Sequence, residues 1–293
     1  MTAITVIAIL AAAATIYGFV AMDSCERIKV APKGKKKKYQ VQEVPETGIL
    51  FMVIMAVALI VRYIAAAKYF GNETDMNCFI AWGDMIFKDG IGNFYSSDSF
   101  TDYPPGYMYI LYMVGAIRHV LGVAWNSTLS VMLTKTPAII ADLATAYLLF
   151  RIAGKRWTQK GAGILTAIYL FAPAVLLDGA IWGQTDAVFT FFVVLMIYLV
   201  TERKLIPSYF VFAVAVLVKP QSLIFTPVLI YGIIDQVFLD GFDWKNFWKN
   251  LGLGLAAIAM IALLMLPFGF KDALSQYTET LASYKFASVN AYN

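Results

Sequence analysis

TDMNCFIAWGDMIFKDGIGNFYSSDSFTDYPPGYMY, residues 74–109, decides how the chain folds. It is acidic and aromatic-rich, and it follows an apolar run at 48–70. Hydrocarbon offers no water to a segment this polar, so it cannot lie at membrane depth. It sits instead on one membrane face. Its two ends carry the features that matter most: Asp75 with Phe79 and Trp82, and the quartet Asp102-Tyr103-Pro104-Pro105.

Composition agrees with a membrane setting. The 293 residues are 60% hydrophobic and 14% charged, with mean hydropathy +0.69. Soluble domains carry about 25% charged residues, so this is a polytopic, all-α membrane protein. The 17 Tyr, 21 Phe and 6 Trp suit interfacial belts. Cys25 and Cys78 fall in separate stretches with no paired spacing, and His119 is the single histidine. Neither a disulfide framework nor a histidine-based metal cluster is expected.

Outward from the central stretch, residues 2–22 form an apolar run of spanning length. It lacks a charged leader and a good cleavage site, and is read as a retained helix rather than a signal peptide. A linker follows at 23–47 with Lys33 and Lys35, Lys36, Lys37 and Lys38, which is expected to be cytoplasmic and to set topology, not to bind nucleic acid. The main module is then 48–293. Residues 48–70 lead outward, which places 74–109 outside. Phe79, Trp82 and Ile86 share a helical stripe in 75–87, predicting an amphipathic helix lying in the interface.

Arg151, Lys155, Arg156 and Lys160 mark 151–160 as cytoplasmic. That parity requires 106–122, with Arg118 and His119 near its end, to be interfacial or re-entrant. Runs at 129–150, 161–177, 187–200, 206–218, 222–234 and 251–266 are expected spans, with an outer loop at 178–186 and an aromatic, basic cytoplasmic segment at 240–250. Residues 267–293 form an outer tail. Most of the 23 Lys and Arg then fall on the cytoplasmic side.

Under this topology Asp75, Asp102, Lys135, Asp178, Gln184, Asp186, Lys219 and Gln221 gather at the outer face. Ionisable groups at membrane depth are costly, and function is the default reading. Each also has a plain alternative: Lys135 and Lys219 can snorkel to headgroups, and Asp142 can be a paired packing carboxylate.

The motifs Asp75 to Trp82, DYPPGY, KTPAIIADLATAYLLF, AIWGQTDAVF and VLVKPQSLIFTP recur in an order that resembles GT-C glycosyltransferases. The nearest likeness is to glucosyltransferases of asparagine-linked glycan assembly and to bacterial proteins related to glycosylphosphatidylinositol mannosyltransferases. It covers 48 to the end. It implies a GT-C-type transmembrane bundle with interfacial helices in the first outer loop. The implied activity is transfer of one hexose, with inversion, from a polyprenyl-phosphate carrier to a lipid, glycan or protein acceptor. A transporter or lipid-linked-sugar flippase is the alternative. The resemblance makes Asp75 the general base and lets Asp102 and Tyr103 shape the site. Trp182, Gln184, Asp186, Lys219 and Gln221 would line the donor pocket.

That chemistry is self-consistent. A sugar phosphate carries its own leaving group, so the acceptor chiefly needs deprotonation, and a carboxylate base contributes about 10²–10⁴-fold. Arg62, Lys135 and Lys219 are the cations expected near the donor phosphate. Carboxylates are available for a divalent metal, but no DxD pair marks a site and no cofactor is expected. In a bacterium the membrane would be the plasma membrane, with the site on its extracytoplasmic face. Residues 288–293, SVNAYN, read as the start of a motif, which predicts that the chain continues.

Overall fold

A computed structural model of the chain describes residues 48–96, 100–239 and 241–282. The expected helix at 2–22, the basic linker and residues 288–293 lie outside the described residues. Every regular element described is helical, with no β-strand among the described residues. The helices are α1 Ile49–Lys68, α2 Glu73–Asp89, α3 Pro105–Val120, α4 Thr128–Ala153 and α5 Gln159–Phe171. After them come α6 Pro173–Leu176, α7 Asp186–Thr201, α8 Leu205–Val218, α9 Thr226–Phe238, α10 Trp244–Met265 and α11 Phe270–Ala282.

Among the described residues, four helical runs are long and apolar enough to cross a membrane: Ile49–Lys68, Thr128–Ala153, Pro220–Phe238 and Trp244–Phe268. A fifth is the bent pair Gln159–Phe171 and Pro173–Trp182, with 52° between its halves. Proline makes that bend. Ala172, the residue before Pro173, takes φ −57° and ψ 130°, and Pro173 restarts the helix at its first position. The restarted helix winds on as a π-helix over Leu177–Trp182 where an outer loop was expected. α3, with Arg118 and His119 in its last turn, is not among the candidate spans.

The segment 240–250, expected as a cytoplasmic helix or turn, is helical from Trp244 on and continuous with the span behind it. Asp243 caps α10 by accepting the Asn246 N–H at 3.1 Å, so the helix starts at Trp244 and runs unbroken to Met265.

The chain forms two compact units. One holds the described residues up to Asn72 with Lys135–Ala187, and the other Glu73–Thr134 with the described residues from Val188 on. In the first unit alanines let α1 approach its neighbours closely: Ala58 meets Ala146 and Leu170, and Ala65 meets Leu176 and Ala180. In the second, Met196, Tyr209, Phe212, Val216, Leu229 and Ala257 form a core joining α7, α8, α9 and α10.

α2 and α3 pair in the second unit through two facing glycines. A Cβ on Gly115 would overlap the Gly83 carbonyl, and one on Gly83 would come within 2.9 Å of the Leu111 oxygen. The stripe expected to face lipid is buried by this pairing: Met76, Phe79, Ile80, Trp82 and Ile86 are all buried. α2 is thus amphipathic, as its periodicity predicts, but its apolar face meets protein.

Candidate functional site

Asp75 lies in the first turn of α2, where a carboxylate complements the helix dipole. One and two turns on, Phe79 and Trp82 enter an aromatic cluster with the DYPPGY segment. Phe79 meets Tyr103 edge-on at 5.6 Å and Tyr107 at 5.8 Å, and Trp82 sits 5.7 Å from Tyr103. Trp82 Nε1 donates to the Phe100 carbonyl at 2.9 Å, and Tyr95 Oη donates to the Tyr103 carbonyl at 2.8 Å. Both bonds fix the backbone on either side of Asp102. Thr280 of α11 donates to the Asp102 carbonyl at 3.0 Å.

A close helix contact brings Lys219 to this segment. Gly106, at the start of α3, presses on the backbone of Leu217 and Val218 at the end of α8, and any side chain there would collide with it. The chain then leaves α8 through Lys219, in extended conformation because Pro220 follows. Lys219 Nζ rests over the Phe189 ring at 5.4 Å. Gln221 follows on an exposed 3₁₀ turn.

Asp75, Asp102 and Lys219 share one electrostatic neighbourhood. Burial pushes the Asp102 carboxyl above the usual range, and Asp75 adds to this. Its own backbone hydrogen bond and Lys219 act against it. Burial, then Asp102 and Asp75, likewise raise the Cys78 thiol, one turn beyond Asp75. Two carboxylates held together with a lysine nearby suit a ligand that carries positive charge, or charges of both signs.

The other nominated residues belong to the first unit, and two of them are engaged in structure. Arg62, fully buried in α1, donates through Nε to Asp142 Oδ2 at 3.0 Å and through Nη2 to the Leu170 carbonyl at 2.8 Å. Tyr169 donates to the second Asp142 oxygen at 3.3 Å. Lys135, also buried, donates to the carbonyls of Tyr69 at 2.8 Å, Ala180 at 3.2 Å and Ile181 at 2.9 Å. An ammonium has three protons, and these carbonyls take all three. Arg62 and Lys135, expected to meet a donor phosphate, therefore tie helices together.

Lys135 in turn holds the π-helix whose end bears the WGQTD motif. Gly183 ends it at φ 91°, and both Gly183 and Gln184 donate their N–H to the Asp178 carbonyl at 3.0 and 3.1 Å. Trp182 is left exposed, Gln184 is half-buried, and Asp186 opens α7.

One polar centre escaped the sequence reading. Asp84 accepts from Arg118 Nη1 at 2.8 Å and lies 3.3 Å from His119 Nε2, while His119 stacks on Phe87 at 4.7 Å. The signal was present, since an Arg-His pair in an apolar helix calls for a carboxylate. Nothing local identified Asp84, 34 residues earlier, as that partner. Among the described residues no group of three His, Cys, Asp or Glu could hold a metal ion.

These features define a multi-pass, all-α integral membrane protein with a buried ion pair in one unit and a polar, aromatic-backed cluster in the other. The family model of GPI transamidase subunit PIG-U matches residues 83–287, and the chain belongs to that family. Comparison with curated proteins gives no match.

This membership corrects the functional expectation. The chain was expected to be a hexosyltransferase using a polyprenyl-phosphate sugar donor and a lipid, glycan or protein acceptor. A transamidase moves an acyl group between amines and makes no glycosidic bond, and a subunit shares that work with partner proteins. The hexosyltransferase assignment, the transport alternative attached to it and the sugar-donor partner all give way to membership of a transamidase subunit family. The match includes Asp102, Tyr103, Lys135, Trp182, Gln184, Asp186, Lys219 and Gln221. Arg62 and Asp75 fall before it.

Proposed function

We propose that this chain is a noncatalytic, membrane-embedded subunit of a GPI transamidase-type complex, built on a scaffold of GT-C type. In this reading the cluster of Asp75, Asp102 and Lys219 receives the polar headgroup of the lipid substrate. The observation that carries the proposal is the family match over 83–287, which includes two of the three cluster residues. The cluster's chemistry supports it. Transamidation delivers an acyl group to an amine; the two carboxylates suit a protonated amine, and Lys219 suits a phosphate beside it. Within the same unit, Tyr103 and Gln221 are assigned to supporting positions. The charge of 23–47 and 151–160 favours an extracytoplasmic face for the cluster, at the plasma membrane if the source is bacterial.

The test uses membranes with and without the chain, given a reporter protein with a C-terminal attachment signal and a labelled GPI lipid. Labelled reporter should form only when the chain is present, and Asp75→Asn and Asp102→Asn should lower its yield while leaving the chain's level unchanged. Equal labelling in membranes lacking the chain would overturn the proposal.

A further inference from the structure

Asn72-Glu73-Thr74 and Asn126-Ser127-Thr128 are both Asn-x-Thr tripeptides, and each lies where one helix gives way to the next. Such a tripeptide accepts a glycan only where it is reached from the extracytoplasmic side and has room for a bulky group. Depth separates the two. α4 is a candidate span of 26 residues whose far end leads into Arg151, Lys155, Arg156 and Lys160, so its Thr128 end is extracytoplasmic. Lys135 marks the level at which α1 ends, through its bond to the Tyr69 carbonyl at 2.8 Å. Thr128 stands seven residues before Lys135, about 10 Å further out along the same helix. The headgroup layer is roughly 5–8 Å thick on each face, so Asn126 stands clear of it. Asn72 follows Lys68, the last residue of α1, by only four positions and stays at headgroup depth.

Local geometry agrees. Asn72 is half-buried, its N–H donates to the Trp182 carbonyl at 2.9 Å, and Gly71 before it has no room even for a Cβ. Asn126 is exposed in the turn ahead of α4, and Thr128, the first residue of that helix, is exposed as well. The middle residue alone shapes the turn. Ser127 Oγ donates to the Ala124 carbonyl at 2.7 Å and accepts the Ser130 N–H at 3.1 Å, so capping α4 draws on neither Asn126 nor Thr128. Gly122 turns the chain just before, at φ 62°, where a Cβ would meet nothing within 4 Å.

The side chains around this turn call for a cover. Val120, Leu121, Trp125 and Leu129 flank it in the chain, all of them exposed, Val120 to 81%. Beyond the headgroup layer such side chains face water, and folded chains seldom leave them bare together. We propose that Asn126 carries an N-linked glycan, a bulky, solubilising group that shields them. Its donor is an oligosaccharide carried on a polyprenyl pyrophosphate. Asn126 Nδ2 forms a bond to the anomeric carbon, and the bond from that carbon to the pyrophosphate oxygen breaks. The pyrophosphate leaves with the electron pair, and the amide proton goes to a base of the transferring enzyme. The proposal is independent of the transamidase reading.

Translation of the full chain into microsomes that hold an oligosaccharide transferase tests it, read by gel mobility before and after digestion with peptide N-glycosidase. Wild type should shift by one glycan, and digestion should remove the shift. Asn126→Gln and Thr128→Ala should each lose it, whereas Asn72→Gln and Ser127→Ala should keep it. Attachment is read on the translated chain itself, so instability of a variant does not mask the result. In the chain purified from its own membranes, the same digestion should leave an aspartate at position 126, seen by mass spectrometry of the peptide. No shift in wild type, a shift that survives Asn126→Gln, or an unmodified Asn126 in the native chain overturns the proposal.

Discussion

The ammonium of Lys135 lies 2.9 Å from the carbonyl oxygen of Ile181, 46 residues away. With its bonds to Ala180 and Tyr69, it fastens the π-helix of Leu177–Trp182 to the end of α1. A π-helix is an uncommon segment, and the carbonyls of its last turn, Ala180 and Ile181 among them, lack intrahelical partners. Here the side chain of α4 satisfies them. Lys135 is therefore a positioning residue for Trp182, Gln184 and Asp186.

Lys135→Met should leave three buried carbonyls without their charged donor. Each such loss costs about 1–3 kcal/mol, and the thermal midpoint in detergent should fall by several degrees. Proteolysis should become faster within 177–186. An unchanged midpoint would mean that Lys135 is not a structural clamp.

Arg62 and Asp142 invite a double-mutant cycle. Both are buried, and Asp142 also accepts from Tyr169. Removing one partner strands a charge, so Arg62→Leu and Asp142→Leu should each destabilise by about 3–5 kcal/mol. The double variant should regain most of that loss, because an apolar pair of similar volume avoids the desolvation cost. Additive losses in the cycle would contradict a direct pairing.

Asp102 carries a pH signature. Its raised carboxyl means that the folded chain keeps a proton at pH values where the unfolded chain has released it. Stability should therefore fall as pH climbs from the unfolded value, about 3.9, through the raised folded value. Asp102→Asn removes a desolvated charge and its repulsion with Asp75, so it should raise the thermal midpoint at neutral pH and flatten this slope. A variant less stable than wild type at pH 7 would contradict the assignment. Added stability with lost function would mark Asp102 as kept for its chemistry.

The elements were legible in the sequence because apolar periodicity and proline punctuation are local signals. The expected runs at 48–70 and 206–218 match α1 and α8 within two residues, and Pro105 opens α3 as its fixed φ favours. The break at Pro173 was hidden inside one continuous apolar run, and the fate of 178–186 followed from it. Partners were less legible. Arg62 and Asp142 lie 80 residues apart, and no local pattern links them. The motifs DYPPGY and VKPQ lie on two segments that the structure brings together where Gly106 meets Leu217 and Val218. What they do was not legible, because a fold does not by itself fix the chemistry its members carry.

Asp84 shows the same limit from the other side. It shares α2 with Asp75 but lies off every recognised motif, so no motif marks it. For stability it should nonetheless outweigh Asp75. Asp84 sits 14% exposed against the guanidinium of Arg118, and Arg118 is itself buried in the α2–α3 pair and lies over the Trp125 ring at 5.7 Å. Asparagine keeps an acceptor but loses the charge that makes this bond strong, leaving a buried guanidinium underpaired. Asp84→Asn should lower stability by about 2–4 kcal/mol, whereas Asp75→Asn should change it little. Because Gly83 and Gly115 set how closely the two helices approach, loosening this clasp should also disturb the aromatic cluster around Tyr103. Paired melting curves for the two variants, with near-ultraviolet circular dichroism to follow the aromatics, decide the point. Equal stability of the two variants would show that the buried pair is dispensable.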